Sequence, residues 1–335
     1  MHVFAIPTRT RFRGIARREG VLIEGPAGWG EFSPFTEYGP REAARWLACA
    51  REAAETGWPA PVRDRVPVNV TVPALPPDRA AALAAAGGCR TAKIKVAESG
   101  QTFHDDRERV AAVRDALGSE AAIRVDANGG WSVDEAADHI AALARYGLEY
   151  AEQPCATLPE LAELRLRLAR RGIDVPIAAD ESIRRAEDPL KARAAGAADI
   201  AVLKVQPLGG VRAALHVAEA CGLPVVVSSA LETSAGLAAG VALAAALPEL
   251  PYACGLATLS LLDGDVCADP LLPEDGALPV RRPEPSPALL ERWAADPATE
   301  ADWKRRVTDA ASRGPATTPL AARPPSNGAP NLEER

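Results

Sequence analysis

Thr91-Ala92-Lys93-Ile94-Lys95-Val96 is the stretch that decides the fold. It is a short β-run whose two lysines stand two residues apart, so both leave the same face of a strand. Working outward, the same kind of run recurs with a charge near its end. Asp126 closes Arg124-Val125-Asp126, Glu152 closes Tyr150-Ala151-Glu152, Asp180 closes Ala178-Ala179-Asp180 and Lys204 closes Val202-Leu203-Lys204. From Lys95 on, successive charges are 24 to 31 residues apart. A strand, a helix and two short loops need about that length. Units of one length that end alike converge their ends in space, here three carboxylates between ammonium groups.

Eight such runs are read along the chain: Val66–Val72, Thr91–Val96, Ala121–Ala127, Leu148–Pro154, Pro176–Ser182, Asp199–Val205, Pro224–Ala230 and Tyr252–Thr258. Amphipathic helices fill the gaps. Ser132-Val133-Asp134-Glu135 and Thr157-Leu158-Pro159-Glu160 read as capping boxes, and Gly147, Gly172 and Gly222 as helix stops. Strand and helix alternating seven times, closed by an eighth strand, predict a TIM-like (β/α)7β barrel over 64–261. A doubly wound open sheet fits less well, because no Gly-rich phosphate loop follows the first strand. Residues 1 to about 35 read as an antiparallel meander, and Arg41–Thr56 as a helix stopped by Gly57. A proline-rich return with a Trp-bearing helix, Ala288–Ala294, follows the last strand. Segments 1–63 and 262–312 are thus expected to form one α+β capping domain, and 313–335 a disordered tail.

Composition excludes several classes. The net charge of −7 provides no global basic field for nucleic acid or anionic membrane. No apolar run is long enough to span a bilayer, and the N-terminus lacks a signal-peptide pattern, so a cytoplasmic protein is expected. The six cysteines include no C-x-x-C, which argues against zinc or a disulfide framework. The four histidines fall at the N-terminus or on predicted helices and are read as surface or packing residues. Short loops and proline-rich returns are consistent with a monomer.

Asp126, Glu152 and Asp180 offer oxygen ligands only. That set suits a hard cation, Mg²⁺ first and Mn²⁺ second, with positions left for water and a small carboxylate substrate. Glu181 points to the opposite face if its strand stays regular. Internal ion pairs, Lys95–Asp126 and Lys204–Asp180, are the bland alternative, but five charges in register over five repeats favour a site. Lys93, the cation and a desolvated cavity would each depress the pKa of a lysine base. Proton abstraction beside a carboxylate is the matching chemistry.

These motifs, Lys93-x-Lys95, Asp126-Ala127-Asn128, Glu152-Gln153-Pro154, Asp180-Glu181-Ser182 and Lys204, together resemble the muconate-lactonizing-enzyme subgroup of the enolase superfamily. The resemblance covers nearly the whole chain apart from the tail. It implies a modified (β/α)7β barrel under an α+β cap, Asp126, Glu152 and Asp180 as metal ligands, and Lys95 and Lys204 on opposite faces of the substrate. The segment from Gly28 to Tyr38 looks most like the o-succinylbenzoate synthases of menaquinone biosynthesis. That likeness implies syn-dehydration of 2-succinyl-6-hydroxy-2,4-cyclohexadiene-1-carboxylate through a metal-stabilised enediolate. Lys95 would act as base and then acid, with Lys204 as the cation opposite. Lys93, Arg124, Asn128, Ser228, Ser229, Phe32 and Ser33 are the expected substrate contacts. The same motif fits N-succinylamino acid racemases and cycloisomerases. Dipeptide epimerases of the subgroup carry an acidic pair on strand eight, which Ala253–Leu259 lacks. A non-enzymatic barrel would have no reason to retain all five charges.

Overall fold

The computed structural model describes residues 1–12, 14–183 and 188–314. Three antiparallel strands begin the chain: β1 (His2–Phe12), β2 (Ile15–Gly25) and β3 (Gly28–Phe32). Helix α1 (Pro40–Arg51) follows and runs on into a π-helical turn, Glu52–Thr56, which Gly57 ends at φ 67°. Gly30 lets β3 meet this helix, since a Cβ there would stand 1.9 Å from the Ala50 carbonyl oxygen.

Eight parallel strands then form the barrel: β4 (Arg65–Val72), β5 (Thr91–Lys95), β6 (Ala122–Asp126), β7 (Leu148–Glu152), β8 (Ile177–Ala179), β9 (Ile200–Leu203), β10 (Val225–Val227) and β11 (Cys254–Ala257). Each pairs with the next from β4 to β10, and β11 pairs with β4. A parallel bridge between Ser228 and Gly255 joins β10 to β11 and closes the ring. Between strands lie α2 (Pro77–Ala86), α3 (Phe103–Leu117), α4 (Val133–Leu143), α5 (Leu158–Arg170), α6 (Asp188–Ala194), α7 (Val205–Leu208), α8 (Val211–Cys221) and α9 (Ser234–Ala246). Ser132 and Thr157 do make the capping boxes of α4 and α5. Gly147, Gly172 and Gly222 are left-handed at φ 66°, 68° and 58°, as helix ends favour.

Strand alternation sorts the core. Val66, Val68, Val70, Ile94, Val125 and Leu203 face the helices and join the main apolar cluster. Tyr150, Ala178, Ile200, Val202 and Val226 form a separate cluster inside the ring. Such two-sided burial explains why these strands read as nearly continuous apolar runs.

The C-terminal part returns to both ends of the molecule. Strand β12 (Ala277–Pro279) pairs antiparallel with β4 of the barrel. Helix α10 (Pro287–Arg292) and helix α11 (Pro297–Arg313) reach the N-terminal sheet. There Ala295 N–H donates to the Val3 carbonyl at 3.0 Å. Trp303 packs edge-on to Phe32 with ring centroids 6.0 Å apart, inside a cap cluster with Val21, Phe35 and Trp46. The expected tail lies, beyond Gly314, outside the described residues. Among the described residues no helix is long and apolar enough to cross a membrane. All six cysteines are unbridged and buried.

Candidate active site

The strand ends at one mouth of the barrel gather the charges. Register pairs Lys95 with Asp126 and Asp126 with Glu152 across β5, β6 and β7. Lys93 Nζ donates to Glu152 Oε1 at 2.6 Å and lies 3.0 Å from Asp126 Oδ2. Lys95 Nζ donates to Asp126 Oδ2 at 2.6 Å and to Asn128 Oδ1 at 2.7 Å. Lys204, four strands away on the far side of the ring, donates to Asp180 Oδ1. All six charged residues are under 10% exposed. Lys93, Lys95, Asp126, Asn128, Asp180 and Lys204 line one cavity.

Left-handed backbone at the mouth aims several of these groups. Asn128 has φ 48°, which brings its N–H to Asp126 Oδ1 at 3.1 Å. Gln153 has φ 39°, and its Oε1 accepts from the N–H groups of Asp180 and Ser182 at 2.8 and 3.2 Å. That side chain ends β8 at Ala179, and a 3-10 turn, Glu181–Ile183, takes over. The strand therefore does not stay regular, and Glu181 turns into the cavity, where Oε1 accepts from Asn128 Nδ2 at 3.0 Å.

The electrostatics follow from burial and crowding. Burial raises the Asp126 carboxyl, but Lys93 and Lys95 together outweigh it and hold the group below the usual carboxylate range. Burial and the neighbouring Asp126 push Glu152 up to about 7. Burial alone would lower Lys93, yet Asp126 and Glu152 raise it well above an ordinary lysine.

Three carboxylates on adjacent strands, all oxygen donors, have the chemistry of a Mg²⁺ site. Glu152 Oε2 is buried with no hydrogen-bond partner, as a ligand oxygen waiting for a cation would be. Among the described residues no three acidic, His or Cys side chains are drawn close enough to clasp a metal. Lys93 and Lys95 share Asp126 Oδ2 instead, so a cation would have to displace ammonium groups from it. The donor set fits; the side-chain arrangement shown is the one the lysines neutralise.

Of the other expected contacts, Ser228 and Ser229 line the cavity. Three do not reach it. Arg124 lies two residues before Asp126, about 6–7 Å deeper in the barrel. Its Nε donates to Glu149 Oε2 (2.5 Å), and one terminal nitrogen donates to Asn69 Oδ1 (3.1 Å) and the Ala253 carbonyl (2.6 Å), while the other is buried without a hydrogen-bond partner. It is a barrel-interior ion pair. Phe32 is fully buried in the cap against Trp303. Ser33 Oγ donates to Glu31 Oε1 at 2.6 Å and accepts from Arg18 at 2.8 Å, away from the cavity. Phe35 is the cap aromatic that lines it, with Leu231, Gly255 and Thr258 from the barrel. The resemblance of the Gly28–Tyr38 segment named Phe32, which ends β3 and packs in the cap, whereas Phe35, in the loop beyond it, is the one that lines the cavity.

A lysine-flanked carboxylate centre at the mouth of a capped β/α barrel defines a class: enzymes that abstract a proton beside a carboxylate. Residues 77–285 match the family model described as enolase C-terminal domain-like, and residues 3–54 the one described as enolase N-terminal domain-like. The chain belongs to the enolase superfamily. Its relatives include o-succinylbenzoate synthases of Thermobifida fusca (66% identical), Mycobacterium marinum (57%) and Mycolicibacterium smegmatis (56%). Each alignment covers 92% of this chain and 92–94% of the relative. The muconate lactonizing enzyme of Pseudomonas putida superposes with a TM-score of 0.73 at 23% identity, over 88% of this chain and 98% of that one. The 2-chloromuconate cycloisomerase of Rhodococcus opacus gives the same values. These two likenesses concern the fold.

Proposed function

We propose that this chain is a Mg²⁺-dependent o-succinylbenzoate synthase acting in the cytoplasm in menaquinone biosynthesis. The observation that carries the reading is the 66% identity, over 92% of the chain, to a relative of that name. The site is compatible with it. Asp126, Glu152 and Asp180 would hold Mg²⁺, which supplies positive charge to the substrate carboxylate as negative charge builds there. Lys95 takes the α-proton of the cyclohexadiene carboxylate. It then returns a proton to the departing hydroxyl on the same ring face, so water leaves syn and the ring becomes aromatic. Lys204 opposes it as a fixed cation, held by Asp180. Asn128 orients Lys95 by accepting its second hydrogen bond. Ser228, Ser229 and Phe35 face the rest of the substrate.

Purified protein with Mg²⁺ and the cyclohexadiene precursor should lose the diene absorbance and yield o-succinylbenzoate. Lys95→Ala and metal-stripped protein should each lose activity by about 10³-fold or more. Absence of turnover in protein that binds Mg²⁺ would reject the synthase reading. Lysines on both sides of the cavity also suit two-base racemisation, so N-succinylamino acids should be followed for α-proton exchange in deuterium oxide.

A further inference from the structure

Ser33 belongs to a relay that joins the cap to the barrel. Arg18, on β2, is 2% exposed. Its Nε donates to the Leu231 carbonyl at 2.8 Å, and a terminal nitrogen donates to both the carbonyl and the hydroxyl of Ser33. Its guanidinium carbon lies 4.7 Å from the centroid of the Phe35 ring. One planar cation therefore touches the two apolar walls of the cavity, Phe35 from the cap and Leu231 from the loop after β10.

Leu231 needs that hold. It sits at φ 65°, a conformation that side chains with a Cβ resist. Besides Arg18 on its carbonyl, its N–H donates to Ser229 Oγ, and Ala230 N–H donates to Glu232 Oε2, both at 2.8 Å. Glu31 closes the relay. It accepts from Ser33 Oγ at 2.6 Å and from the Thr233 N–H at 3.0 Å, at the N-terminus of α9. Phe35, Ser229 and Leu231 line the cavity beside the lysines and carboxylates.

We propose that Arg18 is a positioning residue for the substrate. By fixing Phe35 and Leu231 together it sets the width of the cavity above the lysines, and so the fit of the substrate rather than the proton transfers. The inference rests on the synthase reading for its substrate. A lysine at this position would keep the charge but lose the planar fork that serves both carbonyls.

The test is a double-mutant cycle of Arg18→Lys with Leu231→Gly, read by steady-state kinetics at pH 8 with thermal unfolding alongside. Arg18→Lys should raise KM about tenfold and change kcat by less than about threefold. Leu231→Gly removes the backbone strain, so the same Arg18 change made in that background should raise KM by less than about threefold. Ser33→Ala removes one Arg18 acceptor without altering charge, and should raise KM about two- to fourfold in a folded protein. An equal KM effect in both backgrounds would overturn the proposal. So would a fall in kcat with KM unchanged, or unchanged kinetics in Arg18→Lys and Ser33→Ala. Wild-type turnover of N-succinylamino acids but not of the cyclohexadiene would reject the synthase reading alone, and the cycle is then run on that substrate with the same expectations.

Discussion

The inside of the barrel has two unlike sides. Strands β4 to β7 present Asn69, Thr71, Lys93, Lys95, Arg124, Asp126 and Glu152 inward, and nearly all are buried and hydrogen-bonded to one another. Strands β8 to β10 present Ala178, Ile200, Val202 and Val226. On the polar side packing depends on pairing, because a buried charge without its partner is costly. On the apolar side it depends on volume alone. Lys93, Lys95, Asp126 and Glu152 sit on the polar side, with Asp180 and Lys204 facing them from the rim of the other.

The largest effect should come from the deepest polar group. Arg124→Met leaves Glu149, Asn69 and the Ala253 carbonyl without their donor, and should cost about 3–5 kcal/mol in denaturant unfolding. Mg²⁺ affinity should be unchanged, since Arg124 does not reach the cavity; a loss of affinity would break the separation between barrel interior and site. Next comes the proton on Glu152. Its raised pKa of about 7 means that metal-free protein holds this proton below neutrality and that Mg²⁺ must expel it. Affinity measured by calorimetry should therefore weaken as pH falls below about 7, by up to tenfold per pH unit, and level off above about 8. Glu152→Gln should abolish the proton release, which would sharpen the assignment to this carboxyl. The smallest effect belongs to the apolar side: Ile200→Val should cost about 1 kcal/mol with no change in Mg²⁺ binding.

This asymmetry also explains what the chain disclosed by itself. Lys95, Asp126, Glu152, Asp180 and Lys204 punctuate otherwise apolar runs, so both the barrel and the convergence of the five charges could be read. Face is encoded by alternation, but the role of a long side chain within that face is not. Arg124 shares the face of Asp126 yet is spent on Glu149, a partner 25 residues on. Glu181 was hidden because the amide of Gln153, on the previous strand, ends β8 early. Phe35 and Arg18 were hidden for the same kind of reason: their positions are fixed by Leu231 and Arg306, more than 200 residues away. β12 likewise joins β4 through contacts that no local pattern announces.

Arg306 on α11 donates to the carbonyls of Pro34, Phe35 and Tyr38, so the cavity wall bearing Phe35 is pinned by the last helix among the described residues. At translation rates of about 5–20 residues per second, that helix leaves the ribosome roughly 15–50 seconds after the loop it holds. The barrel can be complete, with its lysines and carboxylates in register, while the cap still lacks its C-terminal half. In chain order, every charge of the centre is therefore synthesised before the helix that fastens this wall.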